Sequence, residues 1–301
     1  MLTKVSTTFY DIMFGENETD MPMNLLERQT LIKVRKVLNN PKLLSKKIPT
    51  LPVMLIRLLD TLKKPDAEIS DFVTLIEQDP VFAAQILKTV NSPQYVRADG
   101  EILSLYRAIC ILGFSGVSNI ATRILMSKVL PCEPAYYQKF GRQIWTHSVQ
   151  CASLCMTLSA PLDKNEFDAY FLGLIHDLGK IIIFNCLCEA LSTVLVDCIP
   201  NTKVFKELMS EMSTDITYHV AMEWHLPHIY CQALKEQNEQ KKSDLAIVLD
   251  KANQLCEAHL MYERGLLTDE QIAVLLEQLS IDSDIWSTFI ETATEIDSLI
   301  N

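Results

Sequence analysis

The chain has 301 residues, an apolar content of 49% and a formal net charge of −11. Such a length supports one large domain or two modest ones with a packed core, and the composition is that of a globular protein. The acidic balance argues against a general nucleic-acid surface, because affinity for phosphate backbones comes mostly from lysine and arginine.

The N-terminus carries Asp11, Glu16, Glu18 and Asp20 and lacks the basic-then-apolar order of a signal peptide. No apolar run is expected to reach the ~18 residues of a membrane helix. The nine cysteines are scattered without a framework, which points to a reducing compartment and a cytoplasmic location. Residues 1–47 form a leader, with a charged amphipathic helix through Leu25 to Leu38. Lys42, Lys46 and Lys47, like Lys241-Lys242 later, read as solvated loop flanks.

Helical spacing then dominates. Leu55, Leu58, Leu59 and Leu62 recur at i, i+3, i+4, i+7, as do Leu105, Ala108, Ile109 and Leu112. Asp79-Pro80 reads as an N-cap followed by proline at the first helical position, and Asn91-Ser92-Pro93 ends that helix. Ser104 opens the next and Gly113 closes it. Pro131-Cys-Glu-Pro134 is the best linker candidate. Thr268 and Gln271 form a capping box ahead of Ile272, Leu275, Leu276 and Leu279, and Ile285, Phe289, Ala293 and Ile296 mark a last amphipathic helix. Strand-like alternation is missing, so the chain is expected to be all-α. It divides into a leader (1–47), a helical lobe (48–130), a second helical lobe (131–265) and C-terminal helices (266–301).

His176-Asp177, within an apolar helical stretch from Phe171 to Lys180, is the most telling dipeptide. A buried carboxylate needs a partner, a proton or a cation. A histidine–carboxylate pair without metal and a divalent metal site both satisfy it. His147 faces inward beside Ile144, Cys151 and Cys155. Ala169 and Gly173 make a small-residue face that permits close approach of another helix or a ligand. Asn253 falls on a buried stripe with Leu249, Ala252, Cys256 and Leu260, and His219 sits between Ile216 and Val220. These residues converge between helices in the expected fold. Cys151 with Cys155, and Cys186 with Cys188, read as packing.

Ile48-Pro-Thr-Leu-Pro52, Ile76-Glu-Gln-Asp-Pro80, Asn91-Ser92, Leu112-Gly113, Trp145-x-His147-Ser148, Gly173-Leu-Ile-His-Asp-Leu-Gly-Lys180 and Trp224-x-Leu-Pro227 occur in order. This series resembles the signature of an HDOD domain over roughly residues 48–260. The resemblance implies a two-lobed helical HDOD fold, with an HD-domain-like bundle in the second lobe, and a bacterial cytoplasmic signalling role. It places the metal pattern of the related HD phosphohydrolases on His147, His176 and Asp177, with Asn253 where the fourth ligand, an aspartate, would stand. Losing that carboxylate leaves a divalent ion undercompensated and any metal weakly held. Glu236-Gln237 replaces a closing His-His pair, and a Gly-Tyr-Pro loop is absent.

The leading expectation is therefore a non-catalytic regulatory module, without a required cofactor, acting on other signalling proteins and not on nucleic acid or membranes. The alternative is a weak metal-dependent phosphohydrolase, with Lys180 and His219 contacting phosphate. Nucleotide binding without hydrolysis is a third reading.

Overall fold

The computed structural model describes residues 10, 12, 23–64, 66–92, 95, 101–129, 138–162, 165–192 and 202–300. The Pro131–Pro134 linker candidate lies outside the described residues. The described residues form helices joined by turns and short loops, without a strand among them. Two compact units emerge: Thr50–Pro131, and a larger one joining Met1–Pro49 to Cys132–Asn301.

The smaller unit holds α3 (Val53–Leu62), α4 (Ile69–Glu77), α5 (Pro80–Val90) and α6 (Leu105–Ser127). Asp79 caps α5 by accepting from the Val81 and Phe82 amides at 3.1 and 3.0 Å, and Pro80 occupies the first helical position, where no amide donor is needed. At the other end, the Asn91 side chain donates to Leu87 O and Ile102 O and accepts from the Ile102 amide. That side chain clips Ile102, just before α6, to the end of α5. Gly113 breaks α6 with φ 75°, a conformation disfavoured for residues bearing a Cβ. Leu55, Leu58, Phe72, Ile76, Phe82 and Ile86 fill the core of this unit.

The larger unit contains α1 (Leu25–Leu38), α2 (Pro41–Leu44), α7 (Gln138–Ser159), α8 (Glu166–Ile175), α9 (Leu178–Ser192), α10 (Thr202–Glu223), α11 (His228–Lys235), α12 (Asp244–Glu263), α13 (Asp269–Leu279) and α14 (Ser283–Ile300). An Asn24–Glu27 capping box starts α1, which lies on α9 and α10, and Arg35 pairs with Glu207 and Glu211. The Trp224 indole donates to Pro49 O at 2.8 Å. The Thr268–Gln271 capping box opens α13, as its spacing predicts. Phe289, Ala293 and Ile296 are buried where α14 packs on α7, so this stripe completes the core.

Two expectations change. Leu105–Ser127 and Glu166–Ala190 do reach the length and hydropathy of membrane spans. The first, however, is broken at Gly113, and the second is 89% buried inside the protein. The second serves here as core, and the first buries half of its apolar window. Nor is His176-Asp177 inside a helix: α8 ends at Ile175 and α9 begins at Leu178, so the pair forms the turn between them.

Candidate functional site

Close helix crossings hold this turn in place. A Cβ at Gly173 would lie 2.6 Å from Ala152 Cα, so α8 meets α7 backbone to backbone. The Gly179 amide donates to Thr217 Oγ1 at 2.9 Å, and that hydroxyl lies 3.0 Å from His176 O. The start of α9 is thereby tied to α10. His147 comes from α7 and Asn253 from α12.

Asn253 Oδ1 is the centre of the cluster. It lies 3.0 Å from His147 Nε2 and 3.1 Å from His176 Nε2, while Asn253 Nδ2 donates to Glu257 Oε1 at 3.2 Å. His176 Nδ1 is 2.7 Å from Gly173 O, an acceptor only. Both nitrogens of His176 therefore face acceptors, an arrangement that suits an imidazolium. Burial pushes this ring's pKa down, but the Asp177 carboxylate and the Cys151 thiol outweigh it and raise the value to about 9. Burial dominates at His147, whose pKa falls to about 4 despite Asp177. His147 is thus neutral and donates from Nε2.

Asp177 is gripped from several sides. Lys180 Nζ lies 2.8 Å from Oδ1 and 2.9 Å from Oδ2, with His176 Nε2 at 3.3 Å and His147 Nε2 at 3.6 Å. Burial raises its pKa, yet His176 and Lys180 lower it further and keep it ionised. Tyr10 comes from far away in sequence to lay its ring 5.6 Å from Lys180 Nζ. Burial pushes the Tyr10 phenol up to about 12, against the pull of Lys180. Burial likewise raises Glu257. Tyr10, Asp177, Lys180, Ser213, Asn253 and Glu257 line a polar cavity of about 220 Å³.

The structure brings His147, His176, Asp177, Lys180 and Asn253 together. His219 stands exposed on α10 and is not among the residues lining this cavity. Lys180 is buried on Asp177, not held out from a helix end toward solvent. Tyr10, Thr217 and Glu257 escaped sequence reasoning. Glu257 follows Asn253 by one helical turn, a spacing that signals a shared face, whereas Tyr10 carries no local signal. Cys151, read as packing, contacts His176 and lies beside Cys155 and Cys256. Gln237, from the Glu-Gln pair, borders the cavity and donates to Ala233 O and Ala246 O.

The donor atoms of His147, His176 and Asp177 lie within 4.8 Å of one another, and Asn253 Oδ1 faces both imidazoles. In geometry and donor type the set fits a divalent ion. In charge it holds one weakly, because only one carboxylate opposes the ion and Lys180 already neutralises it. Metal entry also requires His176 to release a proton.

Without a divalent ion, stability is expected to peak near neutral pH. The raised His176 value gives stability that is complete below 6.5 and is lost as pH climbs through about 9. The lowered His147 value gives stability that is complete above 6.5 and is lost as pH falls toward about 4. Urea midpoints from pH 5 to 10 should show both limbs, and His176→Gln should flatten the alkaline one.

Several known proteins share this architecture. A protein from Shewanella amazonensis SB2B, named as a candidate metal-dependent phosphohydrolase, superposes with a TM-score of 0.64 at 18% identity, covering 92% of this chain and 99% of its own. An HDOD domain protein of unknown function from Geobacter sulfurreducens gives 0.63 at 19%, covering 89% and 98%. A candidate signal transduction protein from Marinobacter aquaeolei VT8 gives 0.61 at 19%, covering 95% and 68%. At such identities these likenesses speak for the fold. An uncharacterized protein of Treponema pallidum (strain Nichols) is 25% identical over 186 residues, which is 60% of this chain but only 35% of that protein. The HDOD domain family model matches residues 48–240, well over half of the sequence, and the chain belongs to the HDOD domain family.

Proposed function

We propose that this chain is a non-catalytic regulatory HDOD module that works in the cytoplasm by contact with other signalling proteins. One observation carries the reading: the polar cluster is satisfied from within. Lys180 neutralises Asp177 at 2.8 and 2.9 Å, and two imidazole N–H groups share Asn253 Oδ1. Protons and an ammonium thus stand where an HD enzyme would hold its ion. The cavity, about 220 Å³, is also smaller than the ~300–1,000 Å³ usual for sites of organic ligands. The acidic balance, −11, supports protein partners over nucleic acid.

The test is turnover of p-nitrophenyl phosphate and bis-p-nitrophenyl phosphate by the purified chain with Mn²⁺ present. No turnover above background is expected. Turnover that disappears in His147→Ala would sink the reading.

The 4.8 Å grouping of His147, His176 and Asp177 favours a second reading, a weak metal-dependent phosphohydrolase. A divalent ion there would polarise a phosphoryl oxygen and acidify bound water. His147, His176, Asp177 and the Asn253 carbonyl would hold it, while Lys180 would give up part of its hold on Asp177. Asn253→Asp adds the missing charge and should tighten Mn²⁺ binding by at least about tenfold, or ~1.4 kcal/mol. Calorimetric titration of both proteins measures this, and equal affinities would remove Asn253 from the ligand set.

A further inference from the structure

A larger cavity, of about 420 Å³, lies among α7, the C-terminal end of α12 and α14. Its wall includes Arg142, Gln143, His259, Glu263, Arg264 and Asp297. The last four lie beyond residue 240, where the family match stops. The C-terminal helices of this chain therefore close a hollow whose other wall, with Arg142 and Gln143, lies within the family-matched span. The His259 ring fixes one side of it, packed edge-on against Phe289 at 5.3 Å and Trp286 at 6.0 Å.

The wall has two kinds of chemistry. Arg142 and Arg264 are exposed, and among the described residues neither forms an ion pair. Guanidinium forks of this kind take phosphate or carboxylate oxygens, often in pairs of hydrogen bonds. The other groups want donors. Gln143 Oε1 has no hydrogen-bond partner among the described residues but is shut off from solvent, so a donor reaches it only after the side chain turns. An unpaired buried acceptor is costly, so it marks a place for a donor. Asp297 accepts one hydrogen bond, on Oδ1, from Gln150 Nε2 at 3.0 Å, and Glu263 stands nearby on the same wall. Burial raises both carboxyls, and Glu263 raises Asp297 further, against the pull of Arg264 on Glu263 and of His259 on Asp297.

We propose that this cavity binds a mononucleotide, with its phosphate on Arg142 and Arg264 and a donor-bearing base edge on Asp297. Size supports this over smaller anions, since about 420 Å³ lies within the ~300–1,000 Å³ range of organic-ligand pockets. Inorganic phosphate would leave most of the space to water and the acceptors unanswered. Guanine suits the acceptor wall best, because its N1–H and N2–H groups present two adjacent donors to a carboxylate. His147 lines this cavity and also belongs to the polar cluster, so the two sites share that side chain as a wall.

Calorimetric titration of the full chain with GMP, AMP and inorganic phosphate tests it, without added metal. GMP should bind in the micromolar range and at least tenfold more tightly than AMP, with phosphate weaker than either. The Arg142→Ala/Arg264→Ala double variant should weaken GMP binding at least tenfold, and Asp297→Asn should erase the preference over AMP. Circular dichroism melting confirms that each variant is folded. The proposal is overturned if neither nucleotide binds, if phosphate binds as well as GMP, or if the double variant retains full affinity. Equal binding of AMP and GMP by the unaltered chain overturns the assignment of the base edge to Asp297.

Discussion

Asp177→Ala should cost about 3–5 kcal/mol of stability, the range for stripping one partner from a buried ion pair. The expectation rests on what stays behind. Lys180, now 2.8 Å from Asp177 Oδ1, and a charged His176 would face each other with no carboxylate between them. Lys180 is buried and the His176 side chain is only 8% exposed, so water cannot easily replace the lost partner. The double variant Asp177→Ala/Lys180→Met should recover much of the loss, because an apolar replacement of a buried pair is often neutral or better. Urea denaturation at pH 7 of the parent, the single and the double variants measures both effects. A single-variant cost below about 1 kcal/mol would mean that the pair is solvated, as surface ion pairs are.

Gly179→Ala should be nearly as damaging, at about 3 kcal/mol, the upper end of the usual overpacking range. Its Cβ would fall 2.0 Å from Ser213 O and 2.8 Å from Thr217 Oγ1. The first is a backbone oxygen of α10 and cannot swing aside, so the start of α9 must back away and carry Lys180 with it. Gly116→Ala is the informative contrast. There a Cβ would meet only the Leu112 side chain, at 3.1 Å, and alanine's helix preference of about 1 kcal/mol offsets the crowding. Equal denaturation midpoints for the two variants would refute the steric account.

Much of the fold was legible because helix ends announce themselves chemically. Asn24, Asp79, Ser104 and Thr268 each accept from a backbone amide at a helix start, and the leader helix spans Leu25–Leu38 as its pattern suggests. The convergence of His147, His176, Asp177 and Asn253 was legible through the HDOD resemblance together with the inward-facing stripes. The electrostatic state of the cluster was not. Sequence spacing says that Lys180 lies three residues after Asp177, but not that a helix boundary intervenes and folds the ammonium onto the carboxylate. Tyr10 was invisible for a related reason: a contact 170 residues distant in sequence leaves no periodic trace. His219 misled because its neighbours Ile216 and Val220 are buried while its own side chain points to solvent. One turn of helix holds both faces.

The glycine crossings carry a mechanical consequence. At Gly173 and Gly179, α7 with α8 and α9 with α10 approach so closely that a single methyl group has no room. Such pairs cannot slide along each other by a fraction of a turn without colliding. The His-Asp turn, anchored between both crossings, is therefore a fixed fulcrum. Within this unit, a response to a bound molecule has to be expressed by elements that lack this interlock, such as the last helix, tilting or lifting against a stationary block.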